Sequence, residues 1–472
     1  MLLLLSFAAP GAPAAARPNI VFVLIDDFGY ADSGPYGAKD IRTPHIDRLA
    51  REGVKFTDFY ANAPVCTPTR CAFMTGRWQQ RTGFEWAMGF SADSFRRQNG
   101  QWVKESDIHA LGLPTTILTL PRMLKAAGYA TGAFGKWHLG YKDEFNPTKH
   151  GFDEYFGQLL GHCDYYTHAY YDGTYALRDG LEPVKVEGYL TDLINQRATE
   201  FVRKHAREPF FLYVPQLAVH CPYQPPGRPK PSVTKANMYD GDRRVYAAMV
   251  EKVDEGVGML LAELEKQRVL DNTLFVLSSD NGGERYSDNS PLFHHKSTLW
   301  EGGIRVPCLM RWPGVLPKGK VTGQVGITMD LTATFFTVAF PNADRSSTVI
   351  SNPQSTFLKS GTSNENRQAV NVSHFGFDGI NLLPILTGAQ PEQTRTLAWR
   401  IDRIGRQQKA VRHGPWKYIQ DGNVEMLFDL AADIGERRDV SFQHPQTFAD
   451  LKHRLADWEA DLAKEQTEFL VK

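Results

Sequence analysis

Six consecutive apolar residues, Ile20 to Ile25 (IVFVLI), break abruptly into Asp26-Asp27. A continuous run of this kind, rich in β-branched residues, predicts a strand buried on both faces of a parallel sheet. Two further segments repeat the pattern: PFFLYVPQLAVH, ending at His220, and NTLFVLSSDNGG, which carries Asp280-Asn281. ATGAFGKWHLG reads as a strand running into a loop with Lys136 and His138, and KFTDFYA is a further strand candidate. Helical patterns lie between them. In TPHIDRLAREG, Thr43 stands at the N-cap, Pro44 at the first helical position and Gly53 at the stop. Thr116 to Gly128 predicts a second helix, with Pro121 near its start, and Tyr246 to Gln267 a long third. Strands alternating with helices predict an α/β protein, a doubly wound and mostly parallel sheet with helices on both faces.

The pattern changes twice. Residues 342–373 are polar and lack apolar periodicity, which predicts a surface insertion. Beyond it, AVRHGPWKYIQ and EMLFDL read as strands and Pro445 to Lys464 as a closing helix. The expected organisation is a main domain over 17–387 and a smaller C-terminal α+β domain, with an antiparallel sheet, over 388–472. The start, MLLLLSFAAPGAPAAARPN, reads as a secretory signal over 1–16 with A-x-A-like cleavage sites, although no Lys or Arg precedes its apolar run. Export to the periplasm or the medium is the expectation. That run is too short to span a bilayer, and no other segment reads as a membrane span.

Composition narrows the function. Lys+Arg and Asp+Glu both number 53, so no overall field holds nucleic acid or an anionic membrane. An anionic substrate must therefore meet a local cluster. Five cysteines are too sparse for a disulfide scaffold, while leaving a single bridge open. Asn371-Val372-Ser373 is a glycosylation sequon that matters only in a eukaryotic secretory route.

Ligands of an open α/β sheet sit at the carboxyl ends of its strands. Asp26, Asp27, Asp280 and Asn281 lie at two such ends and offer only oxygens, the donor set of Ca²⁺ or Mg²⁺. A single Asp-Asp after a strand is usually a cap, and Asn-Gly is usually a turn. Two such ends in one sheet favour the metal. Lys136, His138, His220 and Lys296, joined by Arg70, would make a pocket that stabilises developing negative charge. Taken singly, each is more often solvated or capping. Metal, cations and a nucleophile together describe phosphoryl or sulfuryl transfer. Zinc has little support: Cys66 and Cys71 lack CxxC spacing, and no HExxH occurs. Neither GxxxxGK[ST] nor GxGxxG is present, so nucleotide binding has none.

Residues 66–77, CTPTRCAFMTGR, resemble the sulfatase motif Cys-x-Pro-Ser/Thr-Arg, three residues, then Leu/Met-Thr-Gly-Arg/Lys, at every fixed position. PNIVFVLIDDFGY, GKWHLG, HGFDEYFG, LSSDNGG, STLWEGGIRVP and DGINLLPILTG resemble further sulfatase segments in the family's order. The resemblance implies an alkaline phosphatase-like fold. It implies that a maturation enzyme reads Cys-x-Pro-x-Arg in the unfolded chain and oxidises Cys66 to Cα-formylglycine. Asp26, Asp27, Asp280, Asn281 and residue 66 would then surround Ca²⁺, with Mg²⁺ next in preference. In the implied mechanism the hydrated aldehyde attacks the sulfur of a sulfate ester. Lys136, Lys296 and Arg70 hold the sulfuryl oxygens, His220 or Lys296 protonates the leaving alcohol, and His138 takes the proton that expels sulfate. GFDEYFGQLLGHCDYYTHAYY resembles arylsulfatase B-like enzymes, which act on N-acetylgalactosamine units, so the implied substrate is a sulfated carbohydrate or a small sulfate ester. Cys221 beside His220 and His294-His295 before Lys296 depart from the family's pattern. Two alternatives stand beside this reading. One is a phosphate or phosphonate ester hydrolase; the other is a non-catalytic binder of sulfated glycans, which predicts missing catalytic groups.

Overall fold

The computed structural model describes residues 17–89, 93–98, 101–227, 233–341, 376–403, 405–465, 467 and 469–472. The leader at 1–16 and the polar insertion with its sequon lie outside the described residues.

The apolar runs assemble as one ten-stranded sheet. Its centre runs parallel in the order Thr273–Ser279, Asn19–Ile25, Phe210–Pro215, Ala130–Phe134 and Glu154–Gln158. All seven residues of Asn19–Ile25 are buried, and the strand's two faces feed different cores. Ile20, Phe22 and Leu24 pack with Phe73 of the helix Cys66–Thr75 and Phe335 of the helix Thr328–Ala339. Val21, Val23 and Ile25 pack with Ile194 and Phe201 of Leu190–His205, and with Val250 and Val253 of Arg243–Lys266. Side chains alternate faces along a strand, so helices on both sides of the sheet turn a continuous apolar run into two buried rows.

The flanks depart from the parallel rule. Cys308–Arg311 inserts antiparallel between Thr273–Ser279 and Val54–Phe56, and Leu177–Asp179 pairs antiparallel with Glu154–Gln158. KFTDFYA forms two short strands, Val54–Phe56 and Phe59–Tyr60, in different sheets. The second helix is shorter than its pattern, Leu120–Ala126, and the long one begins earlier, at Arg243, where the Asp242 carboxylate accepts from Val245 N. Thr43 precedes the helix Pro44–Glu52 without capping it. The Asp254 carboxylate takes that role, accepting from His45 N at 3.1 Å and Ile46 N at 2.8 Å.

The C-terminal strands form a four-stranded antiparallel meander, Thr396–Arg403, Arg406–His413, Trp416–Asp421 and Val424–Asp429. The helix Pro445–Leu462 covers one face through Leu451 and Leu455. The other face joins Trp399, Ile401 and Ile419 to Tyr60 and Trp300 of the main domain. A buried ion pair fastens the junction: Lys417 Nζ lies 2.9 Å from Glu301 Oε1 and 2.8 Å from Glu436 Oε1. The final strand, Phe469–Val471, returns to pair with Ser94–Gln98, which in turn pairs with Gln101–Lys104. All five cysteines are free.

Candidate active site

Four neighbouring strand ends carry the predicted residues to one rim. Asp26-Asp27 follow Asn19–Ile25, Asp280-Asn281 follow Thr273–Ser279, Lys136 follows Ala130–Phe134, and His220 follows Phe210–Pro215. Backbone hydrogen bonds lock these ends together, Lys136 N to Pro215 O at 2.8 Å and Val219 N to Asp26 O at 2.8 Å. The helix Cys66–Thr75 points its first turn at this rim. Val65 supplies no side-chain cap, so the first backbone N–H groups face the site and favour a negative atom at residue 66. Gly76, at φ 69°, ends the helix with its N–H on Ala72 O.

The motif threonines brace this start. Thr69 Oγ1 accepts from Ala63 N and donates to Ala63 O, both at 3.0 Å, closing the chain ahead of the helix. Thr67 Oγ1 accepts from Met88 N, and Met88 O in turn lies 2.7 Å from His138 Nε2. The Lys296 loop is pinned at both ends of the site, Lys296 N to Gly283 O and Ser297 N to Pro64 O. Asp27, His138 and Ser297 adopt left-handed backbone angles, φ 57°, 59° and 70°. Strain of this kind, costly in a non-glycine residue, clusters where side chains must be aimed.

Beneath residue 66 lies a buried charge set. Arg70 Nε and Nη2 reach Asp280 Oδ2 at 3.0 and 2.8 Å, Nη2 reaches Asp26 Oδ2 at 3.1 Å, and Nη1 reaches Lys136 O at 2.8 Å. Lys136 Nζ pairs with Asp26 and lies 3.4 Å from Cys66 Sγ. Lys296 Nζ sits 2.7 Å from Asp27 Oδ1. Arg70 has 0% exposure, and its guanidinium bonds the Asp26 and Asp280 carboxylates and the Lys136 carbonyl directly beneath residue 66.

Burial sets the proton affinities. It raises Asp26, Asp27 and Asp280 above the usual carboxylate range, and neighbouring carboxylates add to the rise. It is the largest influence on Lys136 and Lys296 and opposes their charge, but the surrounding acidic groups, led by Asp26 for Lys136 and Asp27 for Lys296, together outweigh it and both lysines stay charged. Burial and then the lysines push His138 and His220 well below the ordinary histidine value. The Cys66 thiol is pushed up to about 11 by burial, against the pull of Lys136 and Lys296. An unmodified thiol there is protonated at neutral pH and a poor nucleophile.

Oxygens of Asp26, Asp27 and Asp280 lie within 4.8 Å of one another, as do donor atoms of Asp26, Cys66 and His220. Asp26 Oδ1 and Asn281 Oδ1 are buried with no hydrogen-bond partner among the described residues. Unsatisfied buried oxygens in an all-oxygen set fit a hard divalent cation.

Above the charge set opens a cleft of about 570 Å³, lined by Cys66, His138, His220 and Lys296. Trp86, His162, Tyr171, Tyr239, Glu284 and Arg403 also line it, and sequence reasoning did not single them out. His162 stacks on His220 with ring centroids 6.5 Å apart. Of these residues His162 and Tyr171 lay in GHCDYYTHAYY and Trp86 in RTGFEWAM, segments with a readable signal.

The profile described as Sulfatase matches residues 18–340. The chain belongs to the sulfatase family. Over 367 residues it is 35% identical to the N-acetylgalactosamine-6-sulfatase of Sus scrofa, a match covering 73% of this chain and 67% of that relative. Arylsulfatase J of Mus musculus is also 35% identical, over 70% of this chain and 54% of its own length. Among solved structures, Ps i-CgsB in complex with k-i-k-neocarrahexaose aligns at TM-score 0.77 and 30% identity, covering 96% of this chain and 94% of that one. The sulfatase chain is thus an enzyme, a sulfuric ester hydrolase with the alkaline phosphatase-like architecture. The matches to the Sus scrofa and Homo sapiens N-acetylgalactosamine-6-sulfatases span about two thirds of those proteins' length.

Proposed function

We propose that this sulfatase removes sulfate from a sulfated carbohydrate, with residue 66 as formylglycine and a divalent ion, calcium by preference, held by Asp26, Asp27, Asp280 and Asn281. The buried charge set carries the reading. Three carboxylates, Asp26, Asp27 and Asp280, balance three cations, Arg70, Lys136 and Lys296, so the net charge is 3 − 3 = 0. A divalent ion adds two positive charges. A singly charged sulfate ester and one deprotonated hydroxyl match them. A phosphate monoester carries a second negative charge above pH about 6 and would overfill the site.

Bound there, a divalent ion makes a neighbouring hydroxyl more acidic and screens the carboxylates from one another. Converted to formylglycine, residue 66 would supply the two hydroxyls of a hydrated aldehyde, one as the nucleophile toward sulfur and one whose proton can be removed so that sulfate leaves. The chain's own groups do the rest. Lys136, 3.4 Å from the residue 66 side chain, stabilises negative charge on that residue. Lys296 stays protonated against Asp27 and stands ready to protonate the leaving alcohol. His220 offers no proton at Nε2, because burial holds the ring neutral and Nδ1–H is bonded to Cys221 O at 2.6 Å. His138 donates Nε2–H to Met88 O, which leaves Nδ1, buried and without a partner among the described residues, as a base for the second hydroxyl.

The N-acetylgalactosamine-6-sulfatase relatives and the oligosaccharide complex support a carbohydrate ester, as do Trp86, Tyr171 and Tyr239 around the cleft. The apolar leader supports export and passage past a maturation enzyme. Among the described residues no helix is long and apolar enough to cross a membrane. Mass spectrometry of the Cys66 peptide tests the reading: conversion makes it about 18 Da lighter. Active enzyme with an intact thiol refutes it, as does faster cleavage of an aryl phosphate than of the matched aryl sulfate. Cys66→Ala is expected to abolish turnover while leaving the melting temperature close to that of the parent.

A further inference from the structure

A second cavity, of about 580 Å³, lies where the returning strand Phe469–Val471 and the strand pair Ser94–Gln98 and Gln101–Lys104 meet the C-terminal meander. Its lining includes Phe95, Trp102, Asp402, Arg403, Arg406 and Lys472. Arg403 lines this cavity and the catalytic cleft as well, so the two spaces meet at its side chain. Two contacts tie the junction to the reaction centre. The Arg403 guanidinium stacks over Trp86 of the cleft, 4.7 Å from the ring centroid. Arg406 Nη1 donates to Ser297 O, 2.9 Å away, on the loop that carries Lys296.

Among the described lining residues the three cations Arg403, Arg406 and Lys472 outnumber the two acids Asp93 and Asp402, so the charge count is positive by one. Asp402 pairs with Lys472, and Asp93 with Lys104 outside the lining. Arginine forks match tetrahedral oxyanions, and a guanidinium held on an aromatic face is preorganised for one. Trp102, 44% exposed, supplies an aromatic face, the surface on which the apolar side of a sugar ring stacks. A cavity of this size takes a small ligand or one unit of a longer one.

We propose that this second cavity is a remote subsite for an anionic sugar unit of an oligosaccharide whose sulfate ester lies in the catalytic cleft. The inference rests on the sulfatase reading and deepens it. The substrate is a chain of sugars carrying more than one negative group, seated across both spaces with Arg403 between them. Linking two binding events on one ligand makes the second intramolecular, so affinity rises with chain length.

The test uses the matured full-length enzyme with 4-nitrocatechol sulfate as reporter. A disaccharide and a hexasaccharide of chondroitin 6-sulfate are assayed as competitors and for sulfate release. The hexasaccharide is expected to bind at least about tenfold more tightly than the disaccharide. Trp102→Ala and Lys472→Gln are each expected to erase most of that gain while the disaccharide constant changes less than about twofold. Should Trp102→Ala fail to fold, Lys472→Gln carries the comparison alone. Equal affinity for both lengths in an enzyme that turns over the reporter overturns the subsite and leaves the sulfatase reading standing. A length gain that survives in both variants overturns it too. Matured enzyme with no turnover of the reporter or of either saccharide overturns the sulfatase reading on which the subsite rests.

Discussion

Replacing Lys136 by methionine isolates the electrostatic claim at residue 66. The ammonium lies 3.4 Å from the Cys66 side chain and is fully buried. At an effective dielectric of about 20, a unit charge at that distance is worth about 5 kcal/mol to a developing oxyanion. Part of this returns when Arg70, 3.1 Å from Asp26 Oδ2, and the remaining dipoles take up the field. Removing one donor from an oxyanion site costs about 3–4 kcal/mol, and that is the expected loss here. It corresponds to a fall in kcat of roughly 10²–10³. Methionine keeps most of the volume, so packing against the parallel strands persists. The assay is steady-state turnover of an aryl sulfate, run beside mass spectrometry of the residue 66 peptide, because a variant that escapes conversion would be inactive for another reason. The outcome that refutes the reasoning is a converted Lys136→Met enzyme whose kcat stays within about threefold of the parent.

Three further expectations follow from the buried charges. Arg70→Met leaves Asp26 and Asp280 without their shared partner and is expected to cost about 3–5 kcal/mol in urea unfolding; a loss below about 1 kcal/mol contradicts the buried pairing. Stripping divalent ions with a chelator and adding back Ca²⁺ or Mg²⁺ at about 100 times the dissociation constant is expected to add about 2.7 kcal/mol, read as a rise in melting temperature, and no rise for either ion refutes the metal site. Glu436, beside Lys417 and Glu301, is pushed up to about 7, chiefly by burial. A carboxyl raised in the folded state holds its proton there, so the stability it contributes is complete below its unfolded value of 4.5 and is lost as pH rises through about 7. Glu436→Gln removes that loss. Relative to the parent it should gain about 3 kcal/mol between pH 4.5 and 8 in denaturant titrations, and an unchanged difference across that range refutes the assignment.

The strand ends were legible because one chemical rule covers them. A run buried on both faces carries no charged residue until it leaves the sheet, so IVFVLI-DD and LFVLSS-DN announce where the carboxylates emerge. The helix mouth was legible for a different reason: Cys66, Pro68 and Arg70 match a motif, and Arg70 then closes on Asp26 and Asp280, far away in sequence. What hydrophobic pattern does not encode is the partner. Cys308–Arg311 reads as any short apolar strand, and its antiparallel placement depends on Val54–Phe56 and Thr273–Ser279 being there to receive it. Thr43 has the residue type of a cap, yet Asp254 takes the helix end, because a neighbouring helix brings a stronger acceptor to the same N–H groups.

The cleft rim shows the same limit at the level of function. Lys136, His138 and His220 each sit a few residues from a strand the pattern predicts, and Lys296 directly precedes the motif block STLWEGGIRVP. Arg403 does not. It belongs to the meander strand Thr396–Arg403 and reaches the cleft only because the meander docks through Trp399, whose Nε1 donates to Ala61 O at 2.9 Å, and through the buried Lys417 pair. The reaction centre is therefore a property of the main sheet. The surface that would distinguish one sulfated sugar chain from another is shared with the C-terminal unit. Substitutions in that unit, remote in sequence from every motif residue, are expected to alter preference among saccharides more than the rate on a small aryl sulfate.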